Sequence, residues 1–346
     1  MINKSDFLTS LIIPTGIGAS IGGFAGDASP SVRLLSSVSP VIVNPNAVNG
    51  AVFSGIKQNV LYTEGYSLNK FFKGEIALKP SKFNKIGVIV DAGIPKDVLN
   101  IHINTLNAIK SVYGIEITAI EITNEPVGVE FYISESGISN GTLTNPQTLI
   151  KSTENLIKQG AEAIAVVCYF PPSDIADSEY SENGGVDPVG GVEAIISHLI
   201  SREFNIPVAH APAFALEDIE ITTKIVDRRA SSEYITPTFL PCIILGLYNA
   251  PKITEIENKT PYDYSIDDLN CLIMPYDSLG CIPVFECVSR NIPILAVKNN
   301  YTTLDITAKN LGLDNKIIEV NSYLEATGYV MALKEGISIN TILGIN

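Results

Sequence analysis

A stretch near the middle of the chain combines glycines, an acidic helix start and a helix with a histidine, and together these could form a site for a small ligand. From Asn183 it reads Asn-Gly-Gly-Val-Asp-Pro-Val-Gly-Gly-Val-Glu, and it continues to His198. Asp187 and Pro188 are typical of a helix start, because an Asp carboxylate accepts from free N–H groups and Pro suits the first helical position. A helix N-terminus also attracts anions through its N–H groups and its dipole. The stretch therefore predicts a helix whose start could hold a carboxylate or a phosphate.

This predicted helix has two different faces. An apolar face for burial is formed at helical spacing by Val189, Val192, Ile196 and Leu199. Another side carries Gly190, Gly191, Ala194 and His198. Two glycines in a first turn cost about 1 kcal/mol each relative to Ala. Close approach of a ligand or of another backbone would offset this cost, and tight packing of the helix on a sheet is the alternative.

Acid–base chemistry needs groups that exchange protons near neutral pH, and the chain has 3 histidines. His210 follows a short predicted strand and is the first candidate, because an unperturbed imidazole pKa of about 6.5 suits proton transfer. His198 lies on the predicted helix and could face the same opening, with Asp187 or Glu193 as acidic partners. The alternative is that the histidines are structural hydrogen-bonding residues, and we expect this for His102.

A glycine-rich loop after the first predicted strand is a second candidate for ligand binding. Backbone N–H groups of such a loop can hold a phosphate or a carboxylate. The loop lacks the dinucleotide fingerprint, because the spacing from Gly18 to Gly22 is one residue too long, and it lacks the Gly-Lys-Ser/Thr of a P-loop. The candidate binding residues here are Gly16, Gly18, Gly22, Gly23 and Asp27. A flexible surface loop is the alternative.

Polar side chains also follow other predicted strands at their carboxyl ends. In open α/β sheets these ends meet at one edge, where ligands bind. The candidates for binding a cofactor or substrate there are Asn44, Asn46, Asn49, Asp277, Ser278, Asn299 and Asn300. Asn is also a common turn former, so a purely structural role is the alternative.

Strands and helices are predicted to alternate, which implies an α/β fold with mainly parallel, Rossmann-like sheets flanked by helices. The predicted strands are residues 8–13, 40–43, 86–90, 115–122, 161–168, 206–209, 269–274, 294–297 and 317–320. The predicted helices include residues 32–38, 95–112, 146–160 and 322–334. Two polar segments, 134–145 and 171–185, are predicted to be loops. The length favours two lobes with a cleft, residues 1–148 and 149–346, although one continuous domain is left open.

Composition narrows the class of protein. The chain has 346 residues, of which 46% are hydrophobic and 17% charged, enough for a large core. A formal charge of −14 argues against nucleic-acid or anionic-membrane partners. The first ten residues do not resemble a signal peptide, and no apolar run is long enough to span a membrane. The 5 cysteines are odd in number and lie mostly in apolar segments, which indicates reduced, buried thiols of a cytoplasmic protein. The absence of a Cys-x-x-Cys pair argues against structural zinc.

Several of these segments together resemble a known family. Segments 14–30, 44–50, 184–198, 209–214, 275–280 and 321–328 are similar, in the same order, to the bacterial and plastid proteins grouped as domain of unknown function 3326. The resemblance covers almost the whole chain. It implies one shared architecture and a soluble protein, but it implies no reaction. Residues 284–296 also faintly resemble nucleotide-sugar transferases, but the sequence Arg-Asn-Ile-Pro there lacks the glycine of their turn.

The sequence leads to three hypotheses for function. The first is an enzyme that acts on a small metabolite bearing a carboxylate or phosphate, by acid–base chemistry of the lyase, isomerase or hydrolase type. The second is a transferase that uses a nucleotide or phosphorylated donor in a cleft between the lobes. The third is a non-catalytic ligand-binding protein. A small molecule is the expected partner, a homo-oligomer is left open, and the cofactor could be a nucleotide or a divalent ion. Such an ion would be held by Asp27, Asp91, Asp187 or Asp277.

Overall fold

A computed structural model describes residues 5, 7–14, 16–22, 28–48, 57–135, 138–171, 186–216, 225 and 237–344. Its strands are β1 (Leu8–Leu11), β2 (Val41–Val43), β3 (Val60–Tyr62), β4 (Ile76–Lys79), β5 (Ile86–Val90), β6 (Ile117–Ile122), β7 (Val129–Ile133), β8 (Ser139–Leu143), β9 (Ala163–Tyr169), β10 (Val208–Ala213), β11 (Lys252–Glu255), β12 (Leu269–Pro275), β13 (Ile294–Val297) and β14 (Ile317–Val320). Its helices are α1 (Ser29–Leu35), α2 (Gly65–Lys73), α3 (Lys96–Tyr113), α4 (Pro146–Lys158), α5 (Gly190–Phe204), α6 (Leu240–Leu247), α7 (Ile282–Arg290), α8 (Tyr323–Lys334) and α9 (Ile339–Leu343).

The larger sheet has six parallel strands in the order β14-β13-β12-β1-β2-β3. It combines strands from the two ends of the chain, because β1 pairs with β2 on one side and with β12 on the other. Strands β1, β2, β3 and β13 are buried along their whole length, which explains their uninterrupted apolar sequences. The carboxyl ends of β1 and β3 therefore lie on the same edge of this sheet.

The smaller parallel sheet has four strands in the order β10-β9-β5-β6. Strand β6 lies at its edge and is only half-buried, as its mixture of Glu and apolar residues predicts. Two antiparallel pairs, β4–β11 and β7–β8, complete the strands of the described chain. These two parallel sheets with flanking helices confirm the predicted α/β class.

One hydrophobic core is shared by the two parallel sheets. It contains Leu11 and Val43 of the six-stranded sheet together with Val88 and Ala165 of the four-stranded sheet. A second core lies on the other face of the six-stranded sheet, and a third lies between the four-stranded sheet and the helices α4 and α5. The shared core holds the two sheets against each other, with α5 on the outer face of the smaller one.

Three details of the predicted elements were wrong. Helix α5 begins at Gly190 rather than Pro188, because Asp187 and Pro188 form the turn before it. Residues 134–145 contain a strand, β8, because they pair with β7 in a hairpin. His210 lies within a strand rather than after it, since β10 continues to Ala213 alongside β9.

The division into two lobes stays a prediction. The proposed boundary at residues 148 and 149 lies inside α4, and both parallel sheets take strands from both sides of it. The long loop predicted at 171–185 lies outside the described residues except for its first residue. Within the described chain, no helix combines the length and the apolar character needed to cross a bilayer.

Candidate functional site

Helix α5 carries most of the candidate site, and it packs against β8, β10 and α2. Its buried polar side chains recur every four residues, at Glu193, Ser197 and Ser201. This spacing places them on one face of the helix. This face contacts α2, since Ser201 Oγ lies 2.6 Å from Ser67 Oγ of α2.

The glycine-rich loop and the start of α5 lie against each other. A Cβ placed on Gly190 would be 3.2 Å from the Cα of Gly16, and one on Gly16 would be 3.8 Å from the Asp187 carbonyl oxygen. Gly16 has a left-handed backbone, with φ at 71°. Only residues without a side chain permit this approach of two backbones. The structure therefore brings together two segments that lie far apart in the sequence and that the sequence predicts to share a site.

Further along α5, two histidines and two glutamates form a connected group, here named the His–Glu cluster: Glu64, Glu193, Ser197, His198 and His210. His198 Nε2 lies 3.0 Å from Glu64 Oε1. His210 Nδ1 lies 3.0 Å from Ser197 Oγ, and its Nε2 lies 3.9 Å from Glu193 Oε2. Ser197 Oγ also lies 3.5 Å from Glu64 Oε1. Three of the four predicted catalytic residues, His198, His210 and Glu193, thus meet in one place, and the fourth, Asp187, lies by the glycine-rich loop.

The two histidines differ in their environment. The side chain of His198 is 42% exposed, whereas that of His210 is 18% exposed. Burial lowers the pKa of His210 to about 4; the nearby Glu64 opposes this shift and His198 adds to it. His210 is therefore neutral at physiological pH and can donate a proton from one ring nitrogen while it accepts at the other.

The low pKa of His210 predicts a loss of stability in acid. Because this pKa is lower in the folded than in the unfolded chain, the unfolded state binds more protons between pH 6.5 and 4. Stability is complete above this window and falls as the pH falls through it, by about 2 kcal/mol at pH 4.5. Urea unfolding at pH 7 and 4.5 should show this difference in the native protein.

The matched variant for this measurement is His210→Asn, in which the acid-dependent loss should shrink by about 2 kcal/mol. Burial also lowers the pKa of His102, but His102 contributes equally in both proteins. An equal loss of stability between the two pH values in native protein and variant would show that His210 is not the group that titrates.

Glu64 is a central residue of the site that the sequence analysis missed. Its side chain is 3% exposed, and Oε2 accepts from the amides of Tyr66 and Ser67, which caps α2. The other oxygen faces His198 and Ser197. The only local signal in the sequence is the pair Glu64–Gly65 after a short apolar run. This signal is not specific, because a Glu at a helix start can also be a purely structural cap. Glu64 thus joins the six-stranded sheet to α5.

Gly65 keeps space for His198, and its replacement by alanine tests the contact with Glu64. A Cβ at this position would lie 2.9 Å from His198 Nε2. Because His198 is partly exposed, we expect its ring to rotate away while the fold stays within about 1 kcal/mol of native stability. Histidine NMR spectra of Gly65→Ala should show a changed His198 signal. An unchanged His198 signal in a folded variant would contradict the role of the Glu64 contact in holding the ring.

The predicted binding residues beside the glycine-rich loop make internal hydrogen bonds that shape it. Asn44 accepts from the Ile13 amide at 3.0 Å and donates to the Ile13 carbonyl at 2.6 Å. Asn46 donates to the Pro14 carbonyl. Asn300, fully buried, accepts from the amide of Ile21 and donates to its carbonyl. The positions of Gly18 and Gly22, both with positive φ, are thereby held.

The remaining predicted binding residues lie in the adjoining loop after β12 and β13. Both Asp277 carboxylate oxygens accept from the Thr302 amide, and Ser278 donates to the Pro275 carbonyl. The Asn299 carbonyl accepts from Ser20 of the glycine-rich loop. Gly23, Asp27 and Asn49 lie outside the described residues. The loops after β12 and β13 therefore support the glycine-rich loop. Direct binding of a ligand by their side chains stays a prediction.

Several acids proposed for a divalent ion already accept from backbone amides. Asp91 accepts from Gly93, Val127 and Tyr169. Asp187 accepts from Val189 at 3.0 Å, and burial raises the pKa of its carboxyl. In the part of the chain that the structure describes, no three His, Cys, Asp or Glu side chains form a group suited to a metal ion.

The amides at the start of α5 are also engaged within the protein. Val189 donates to Asp187, and Gly191 donates to Ser139 Oγ of β8 at 3.0 Å. An anion held at the start of α5 would therefore bind to the amides of the glycine-rich loop rather than to those of Val189 and Gly191.

The fold and site define an α/β protein with a histidine–carboxylate centre formed by α5, β10 and the residue that precedes α2. The model of the family of proteins of unknown function DUF3326 matches residues 8–343, so the chain belongs to this family. The chain is similar to an uncharacterised lipoprotein of Synechococcus sp. (strain ATCC 27144 / PCC 6301 / SAUG 1402/1). The two are 40% identical over 341 residues, which cover 97% of this chain and 93% of the relative. No solved structure matches the chain.

Proposed function

We propose that the protein is an enzyme that acts on a small metabolite by acid–base chemistry at the His–Glu cluster. The observation that carries this proposal is the pairing of each histidine with a glutamate, His198 with Glu64 and His210 with Glu193, joined by Ser197. A carboxylate near an imidazole stabilises the imidazolium that forms during proton transfer, and Glu64 acts on His210 in this direction, although burial has the larger effect on its pKa.

His210 is the group that exchanges a proton with the substrate. Its Nδ1 is engaged by Ser197, so Nε2 is the atom that reaches the substrate. Glu193 lies 3.9 Å from Nε2, beyond hydrogen-bond distance. General acid–base catalysis of this kind contributes about 10²–10⁴-fold to a rate. It fits lyase, isomerase and hydrolase reactions alike.

The anionic group of the substrate is assigned to the glycine-rich loop. This assignment is supported by the left-handed glycines Gly16, Gly18 and Gly22 and by the contact of Gly16 with the start of α5. Glycines in such conformations can direct successive N–H groups toward an anion. The carboxylates of the His–Glu cluster, in contrast, would repel an anion. The two places therefore suit different ends of one substrate.

The test is an untargeted turnover assay. Purified protein is incubated in deuterated water with a pool of carboxylate- and phosphate-bearing metabolites, and mass spectrometry follows consumption and deuterium uptake. We expect one class of metabolite to be consumed or labelled. Absence of both, together with thermal stabilisation by nucleotides alone, would favour a nucleotide-dependent transferase instead. Stabilisation by a metabolite without turnover would favour a binding protein.

We also propose that the protein is cytoplasmic. All five cysteines are free thiols, and four of them are buried. Free thiols suit a reducing compartment. The name of the Synechococcus relative, a lipoprotein, favours membrane attachment instead. Fractionation of the producing cells decides between them, since a soluble fraction supports the proposal and a detergent-extracted fraction contradicts it.

A further inference from the structure

We propose that Ser197, Glu64 and His198 form a proton wire that connects His210 with solvent. The four residues come from three different parts of the fold: Glu64 precedes α2, Ser197 and His198 lie on α5, and His210 lies on β10. Their polar atoms follow one another at 3.0, 3.5 and 3.0 Å. The inner end is mostly buried and the outer end is 42% exposed. This connection goes beyond the proposed function, which needs only a histidine that exchanges protons.

The proposed wire requires one arrangement of protons at rest. The 3.0 Å contact between His198 Nε2 and Glu64 Oε1 needs a proton between them, and this proton lies on Nε2 when Glu64 is ionised. Ser197 has one hydroxyl proton, and its shortest contact is with His210 Nδ1. With Ser197 donating to Nδ1, the proton of neutral His210 lies on Nε2, where the substrate would approach.

Transfer along the wire balances as a series of short moves. His210 gives its Nε2 proton to the substrate while Nδ1 takes the hydroxyl proton of Ser197. Glu64 takes the Nε2 proton of His198 and passes it to Ser197 Oγ, while His198 takes one proton from solvent at Nδ1. The net result is one proton moved from solvent to substrate, and the total charge of the four residues is unchanged. The same moves in reverse carry a proton from the substrate to solvent.

Ser201 provides a matched control on the same helix. It is fully buried and one turn beyond Ser197, and it bonds to Ser67 rather than to a histidine. Removing its hydroxyl disturbs α5 to a similar degree but leaves the wire intact. A slower exchange in Ser197→Ala but not in Ser201→Ala therefore reports on the wire and not on packing.

The experiment measures how fast His210 exchanges its ring proton between Nε2 and Nδ1, by NMR of protein labelled with ¹⁵N-histidine, because only Nδ1 contacts the wire. We expect exchange to slow by about tenfold or more in Ser197→Ala and in Glu64→Gln, and to stay unchanged in Ser201→Ala. His198→Asn changes a partly exposed residue, so it keeps the fold if the buried variants do not, and it should slow exchange as well. Unchanged exchange in His198→Asn or in a folded Ser197→Ala would overturn the wire.

The proposed function gives the wire its use, but this experiment needs no substrate, so the two can fail separately. Normal exchange in the variants, together with turnover that depends on His210, would remove the wire and keep the enzyme. Slowed exchange together with turnover that does not depend on His210 would keep the wire and remove the proposed role of His210.

Discussion

Replacement of His210 by asparagine is expected to lower turnover by about 10²–10⁴-fold, the usual contribution of a general acid–base group. Asparagine can still bond to Ser197 through its side-chain amide, but it cannot gain or lose a proton near neutral pH. The substrate identified in the turnover assay would be used at saturating concentration, so that the loss appears in kcat rather than in KM.

The matched control is His102→Asn. His102 lies in α3, is 1% exposed and bonds through Nδ1 to the Val98 carbonyl, so it has no part in the cluster. Its replacement should lower stability but leave the turnover of folded protein unchanged. Full activity of His210→Asn would remove His210 from the mechanism.

Replacement of Gly191 by alanine is expected to destabilise the protein by about 3 kcal/mol. A Cβ at this position would lie 2.5 Å from the Ser139 carbonyl carbon and 2.8 Å from the Asn140 amide nitrogen. These are backbone atoms of β8, which cannot rotate aside. On the same strand a Cβ at Gly141 would be 2.6 Å from Val192 Cβ, so the hairpin and α5 are in contact at two glycines. Urea unfolding measures the loss.

The control for Gly191 is another helical glycine, Gly328 of α8. A Cβ there would have no neighbour within 4 Å. Gly328→Ala should therefore stabilise the protein by about 0.5–1 kcal/mol, through helix propensity alone. A small effect of Gly191→Ala, equal in sign to that of Gly328→Ala, would show that α5 does not lie as close to β8 as described.

The strands of both parallel sheets could largely be predicted, for a physical reason. A strand buried on both faces is a continuous apolar run, and strands such as Ile86–Val90 and Ile294–Val297 are followed by turn-forming residues. Strand β8 was missed because its sequence, Ser-Asn-Gly-Thr-Leu, is typical of a loop. It forms a strand because β7 pairs with it and α5 packs against it.

The site was predicted in part. Glu193, His198 and His210 could be found because helical spacing and residue chemistry are local properties. Glu64 could not, since its role depends on contacts with residues such as Ser197, 133 positions further along the chain. The two neighbouring glycines have different roles, because Gly190 permits contact with the glycine-rich loop, whereas Gly191 permits packing on β8. The Gly-Gly pair in the sequence does not distinguish these roles.

We infer that Glu64, Glu193, His198 and His210 form one ligand-binding centre where α5 meets β10 and the start of α2. The most direct test is histidine-detected NMR during titration with the metabolite that most raises Tm. The chain has 3 histidines, and the third, His102, is buried in α3 and serves as the internal reference. We expect the His198 and His210 signals to shift together with one saturation curve while His102 stays constant. A saturable ligand that shifts neither His198 nor His210 would contradict the claim.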